Sequence, residues 1–264
     1  MKKVIIMLSV ALVALNGCQS GGKSPFHDGI RWEGENKTAN YLAQAGLTHF
    51  INIEFDKAYT LSEEAILLDS SLFASHTLLA MMGQGEKKDY HTAMAKKYSA
   101  KENETGKLFV SLLDIKNDTT GEQRRNTWAK MHELSNGPFI HYMYARTRTL
   151  KGDTAAVITE YNNLITLSEA NNLTVVAAAA YNIKGYLLQI TGDLNGAVAA
   201  IERSAELYPN GHNPIDSRAE MYLFARDTAN AIAWYKKVLE KYPFSQSAQD
   251  KLESLKPKGL KPKK

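Results

Sequence analysis

Along most of this chain apolar residues recur every three or four positions. Short polar turns interrupt them, and no stretch keeps the two-residue alternation of a half-buried strand. That rhythm predicts an all-α protein. Its unit is plainest in GDLNGAVAAIERSAELYP, residues 192–209, where a Gly-Asp turn opens a helix that ends on Tyr-Pro. RDTANAIAWYKKVLEKYP, residues 226–243, writes it again: Asp193 and Asp227, Ala197 and Ala231, and Pro209 and Pro243 each stand 34 residues apart. Each fixed position has a physical use. Glycine tolerates the left-handed turn that stops a helix, and aspartate caps the next one. Gly185 and Ala197 fall where the helices of a hairpin cross, and a close crossing has room for little beyond a methyl group. Asn213-Pro214 reads as a cap followed by a first-turn proline.

Fainter copies precede these two. Residues 141–165 carry Ala145, Gly152-Asp153, Val157 and Tyr161, with about six extra residues before the next copy. Near the start, Leu42, Gly46, Ala58, Ala65 and Leu68 fit the same register and end on Asp69-Ser70. Between residues 72 and 137 the repeat is degenerate, and helices are expected around Phe73–Met82, Tyr90–Tyr98, Lys107–Ile115 and Gln123–Leu134. The reading is about six helical pairs and a final helix near Gln246–Leu255. Together they fill a domain over residues 37–255, with the clearest repeats at 138–171, 178–211 and 212–245.

The period of 34, with Tyr181, Gly185, Gly192-Asp193, Ala197, Ile201 and Pro209 in one copy and Ala219, Asp227, Ala231, Tyr235 and Pro243 in the next, resembles the tetratricopeptide repeat. Lys184 departs from the pattern, which has Leu there. One hairpin cannot bury its apolar face alone, so such repeats stack around a shared core. The resemblance implies an all-α, right-handed α-solenoid of stacked helix-turn-helix units with a C-terminal capping helix. It also implies a concave groove, lined by the first helix of each pair, that binds a protein or peptide. The inward positions it assigns are Tyr142, Arg146, Asn182, Tyr186, Gln189, Asp216 and Glu220, and Tyr and Arg are enriched at binding hot spots. The subclass that clamps peptide carboxylates is not expected, because Asp216 and Glu220 put negative charge in the groove. Trp234, on a second helix, is expected in the packing.

The first residues, MKKVIIMLSVALVALNGCQS, are an address rather than a fold. Lys2 and Lys3 precede an apolar run from Val4 to Ala14, which is short for a bilayer span and suits a signal peptide over residues 1–17. Leu15-Asn16-Gly17-Cys18 resembles the bacterial lipobox, with Cys18, the single cysteine, as the acylated new N-terminus. Asn16 is not the usual small residue. Gln19, where retention at the inner membrane would call for Asp, implies by the same resemblance an outer-membrane lipoprotein of the bacterial envelope, on its periplasmic or surface face. Residues 18–36 are Gly- and Ser-rich and read as a lipidated flexible tether.

Without Lys2 and Lys3 the chain has 30 basic and 28 acidic residues, and no concentrated basic face points to nucleic acid. His132-Glu133-Leu134-Ser135-Asn136 nearly spells a zinc-protease motif, but Asn136 stands where the second imidazole must be. No phosphate loop or nucleophile elbow is present, so no cofactor, metal, catalytic residue or small-molecule substrate is expected. The alternative is an envelope hydrolase or polymer-modifying enzyme whose catalytic residues are dispersed. The basic Lys/Pro tail, residues 256–264, reads as a solvated end or a weak contact with anionic polymer. Asp153-Thr154-Ala155 and Asp227-Thr228-Ala229 resemble a bacterial O-glycosylation motif, yet both sit where a helix needs a cap.

Overall fold

A computed structural model describes residues 29–149 and 153–256 of the chain. The signal peptide, Cys18, residues 19–28 and the tail from 257 onward lie outside the described residues. Among the described residues the secondary structure is helical throughout. Six hairpins follow one another: α1 (Lys37–Ile51) with α2 (Phe55–Leu68), α3 (Phe73–Met82) with α4 (Gly85–Ser99), and α5 (Glu104–Ser111) with α6 (Glu122–Leu134). Then come α7 (Pro138–Arg148) with α8 (Thr154–Ala170), α9 (Thr174–Ile190) with α10 (Leu194–Leu207), and α11 (His212–Phe224) with α12 (Thr228–Lys241). A last helix, α13 (Gln246–Ser254), packs on α12 and closes the stack. The expected all-α solenoid with a terminal helix is what the chain forms.

The turn chemistry works as the repeat requires. Gly192 adopts φ 89° after α9, and the Asp193 carboxylate accepts from the Gly196 amide at 2.9 Å to cap α10. One repeat later Arg226 takes the left-handed turn at φ 61°, and Asp227 caps α12 through the Asn230 amide at 3.0 Å. Asp153 caps α8 in the same way. A side chain can replace glycine here because a single left-handed residue costs only on the order of 1–2 kcal/mol. Asn213-Pro214 is different from its sequence reading. α11 begins at His212, with Gly211 at its cap position, so Asn213 and Pro214 both lie inside the first turn. There a missing amide donor still breaks no helical bond.

Small residues set the crossings. A methyl group on Gly185 would stand 2.7 Å from Ile201 Cγ1 and 3.1 Å from the Ala197 carbonyl oxygen. Gly46 meets Ser62 and the Ala58 carbonyl in the first hairpin with the same closeness. Ala58, Ala197, Ala219 and Ala231 are fully buried, and so are Tyr161 and Tyr235. Trp234 is half-buried, as expected, between the Arg218 guanidinium and the Lys237 ammonium at 4.1 and 3.9 Å. Leu68, the last residue of α2, is 48% exposed.

The tether reading fails for its last eight residues. Trp32 is 2% exposed and meets Phe139 edge-on at 5.3 Å and Phe109 at 5.8 Å. Arg31 donates to Glu102 at 2.7 Å. Burying one indole contributes a few kcal/mol, enough to hold a short polar segment against the stack.

The stack also curls back on itself. α9, whose Ala177–Ala180 run is almost fully buried, touches α1 as well as its neighbours α8, α10 and α11. Asn52 donates to the Val175 carbonyl at 3.4 Å, and the Tyr142 hydroxyl donates to the Ile51 carbonyl at 2.9 Å.

Candidate functional site

On the inner side of the curl lies a cavity of about 760 Å³, lined by first helices and also by α4, α6 and α8. Volumes of roughly 300–1,000 Å³ are usual for ligand sites. Its apolar wall comes from α3, the turn after α5, and α6: Met81, Leu113, Ile115 and Trp128. Its polar wall comes from α7, α9 and α11: Arg146, Thr147, Asn182, Tyr186 and Asn213.

The corner between α1 and α2 closes one side. Ile53 lines the cavity with φ 64°, an unusual conformation for a β-branched residue. Glu54 next to it holds the corner in place. Its carboxylate is 3% exposed and accepts from the Tyr208 hydroxyl at 2.7 Å, the His212 amide at 3.1 Å and the Tyr242 hydroxyl at 3.2 Å. His49 and Lys57 approach at 2.5 and 3.4 Å. Burial alone would raise the pKa of this carboxylate. The hydrogen bonds from His49, Tyr208 and the His212 amide, with the Lys57 charge, outweigh burial and hold it at about 2. The first hairpin is thereby tied to the last two.

Three of the seven residues assigned to the groove line this cavity: Arg146, Asn182 and Tyr186. Asn182 is 3% exposed. Its carbonyl oxygen accepts from Asn213 at 3.3 Å, while its amide nitrogen has no hydrogen-bond partner. A buried donor without an acceptor costs about 1–3 kcal/mol, so this nitrogen marks where an acceptor would be held. The Tyr161 hydroxyl, near Thr149 and Arg146 on the same wall, also lacks a well-formed hydrogen bond.

The other four assigned residues do not line the cavity. Tyr142 is 1% exposed and lies beneath it, because the end of α1 covers it and takes its hydroxyl hydrogen bond. Gln189 shares a helix with Tyr186 but falls beyond the cavity's edge. Asp216 and Glu220 face the next contact of the stack. Glu220 accepts from the Tyr186 hydroxyl at 2.5 Å and pairs with Lys251 at 3.5 Å. Burial raises the Asp216 pKa, and the Glu220 charge beside it adds to that. Neither carboxylate lines the cavity, and Glu220 stands directly behind the Tyr186 hydroxyl in its wall.

The lining residues Lys88, Met81, Leu113 and Trp128 went unread in the sequence. They lie in the stretch where the repeat is degenerate, so no register placed them. His132, from the near-zinc motif, stacks on Tyr144 at 4.3 Å between ring centres. Among the described residues no group of three or more His, Cys, Asp or Glu side chains is placed to hold a metal. No described helix is long and apolar enough to cross a membrane.

Residues 178–210, the α9–α10 hairpin, match the tetratricopeptide repeat family model. No curated protein sequence matches the chain. Among solved structures it is similar to a chain of the APC/C hetero-tetramer Cut9-Hcn1, with a TM-score of 0.54 and 16% identity over 83% of this chain. The chain spans 42% of that one's length. It is also similar to the MamA protein (TM-score 0.39, 15% identity, 85% of this chain and 99% of that one). A thermophilic TPR protein of Thermus thermophilus gives a TM-score of 0.40 at 16% identity, over 82% of this chain and 98% of that one. At 16% identity the likeness to the Cut9-Hcn1 chain is one of fold.

Proposed function

We propose that this protein is a lipid-anchored scaffold of the bacterial envelope that holds a protein or peptide partner in the cavity on its inner face. One observation carries the binding part: a preformed cavity, mostly apolar with one polar wall, in which the buried Asn182 amide is unpartnered. Peptides supply backbone carbonyls at regular spacing, so an extended or helical segment offers this donor what it lacks. The apolar wall accepts side chains. The tetratricopeptide hairpin at residues 178–210 supports the same reading, as does the similarity in fold to a Cut9-Hcn1 assembly.

The anchoring part rests on the order of residues at the N-terminus: two lysines, one apolar run, then Gly17-Cys18-Gln19. An acylated Cys18 would stand only about ten residues before the start of the described fold at residue 29, which keeps the first hairpin near the membrane surface. Several buried acyl chains bind a membrane far more firmly than one.

Affinity capture from solubilised envelopes tests the binding reading. The full chain should retain a protein that an Arg146→Ala/Asn182→Ala variant loses, with the variant's helicity unchanged. Equal recovery on both would overturn the assignment to this cavity.

A further inference from the structure

We infer that the cavity selects peptide segments that are both apolar and acidic, an inference that rests on the peptide-binding reading above. The chain carries 28 acidic and 32 basic residues, so an average surface would show both signs. The cavity wall does not. It contains Lys88, Arg124 and Arg146 and neither Asp nor Glu. Among the described residues no carboxylate oxygen comes within salt-bridge distance of the side chains of these three cations. Arg146 donates only to the Tyr142 hydroxyl at 3.5 Å, and the Arg124 guanidinium donates to the Ile115 carbonyl at 3.3 Å. Asp118, held by the backbone amides of residues 123 and 124, also feels the Arg124 charge and offsets part of it, so Arg146 and Lys88 carry most of the free charge. Lys88 is exposed at the rim on α4.

The nearest acidic side chains of the polar wall are turned away. Glu220 is held by Tyr186, Ser217 is bonded to the same hydroxyl at 3.0 Å, and Lys251 takes the other carboxylate oxygen. The cavity's charge is therefore left for a ligand. Three cations on three separate elements, α4, α6 and α7, surround Met81, Leu113, Trp128 and Met143. A single carboxylate on an acyl chain could meet one of these cations. A peptide carrying two or three carboxylates around apolar side chains can meet several at once and still give a carbonyl to Asn182. The chain's own tail, with Lys256, Lys258, Lys261, Lys263 and Lys264, has the wrong sign to occupy the site.

The test is a selection of random octapeptides displayed on phage against the immobilised full chain. Binding to the cavity is followed by a fluorophore at its rim on a Thr147→Cys variant in a Cys18→Ser background. Selected peptides should be enriched in Asp and Glu among Leu, Ile, Val or Phe, and depleted in Lys and Arg. Replacing their Glu by Gln should weaken binding about tenfold, as should Arg146→Gln or Lys88→Gln in the protein. Raising salt should weaken the acidic peptides most. If Glu-to-Gln peptides bind within about twofold of their parents, or basic peptides are selected, the cavity binds peptides without regard to charge. Peptide binding then stands and this inference falls. If no peptide moves the rim fluorophore, both fall.

Discussion

The Glu54 carboxylate accepts a hydrogen bond from the Tyr208 hydroxyl at 2.7 Å across 154 residues of chain. This contact joins the corner of the first hairpin to the end of the fifth. With the bonds from His212 and Tyr242 it fixes the corner that bounds one side of the inner cavity.

Glu54→Gln should destabilise the protein by about 1–3 kcal/mol, because a buried charge with several donors loses its complement. The pH dependence has a definite sign. The folded carboxylate titrates near 2, below its ordinary 4.5, so its stabilisation is complete above about 4.5 and drains away as pH falls towards 2. Urea unfolding at a series of pH values between 5 and 2.5 should show a steeper loss for the wild type than for the variant. Parallel curves would mean that Glu54 is not the tie described.

Packing at the crossings predicts a second series. Gly185→Ala should cost on the order of 1–3 kcal/mol, and Ala197→Leu or Ala231→Leu at least as much, since each forces atoms into contacts already at van der Waals limits. Lys236→Leu, on the exposed side of α12, should change stability by under about 0.5 kcal/mol. Equal melting temperatures in the two groups would contradict the register.

Tyr186 stands at once in the cavity wall and in the α9–α11 joint, bonded to Ser217 and Glu220. Tyr186→Phe should therefore lower stability by about 1–3 kcal/mol, because Glu220 loses its donor and Ser217 the oxygen it is bonded to. Partner affinity should fall less than it does for Asn182→Ala. Thermal denaturation beside a binding titration separates the two effects.

The well-kept hairpins were legible in the sequence because their small residues are physically obligatory. Gly185, Ala197 and Ala231 can be read singly, since almost nothing else fits where they lie. The closure was not legible. Glu54 looks like any surface glutamate until the curl brings residues 208, 212 and 242 to it, and no local pattern encodes a contact over such a separation. Trp32 was hidden in the same way, one aromatic in a polar stretch whose partners Phe109 and Phe139 lie far along the chain. The resemblance to the repeat placed Arg146, Asn182 and Tyr186 together, yet it also pointed to Tyr142, which the end of α1 covers.

For the anchor, Cys18→Ser should release the protein from membranes. After a high-salt wash and centrifugation the variant should remain in the supernatant, with the wild type in the pellet. A variant that still sediments would contradict the lipoprotein reading.

The central claim is that the inner cavity is where a partner binds, and site-specific photocrosslinking in intact cells tests it most directly. A photoreactive residue at Thr147 or Ile183, in the cavity wall, should capture the same partner. One at Lys236, on the exposed face of α12, should capture none. Adding Arg146→Ala and Asn182→Ala should abolish the cavity adducts. Adducts at Lys236 alone, or cavity adducts that survive both substitutions, would contradict the account.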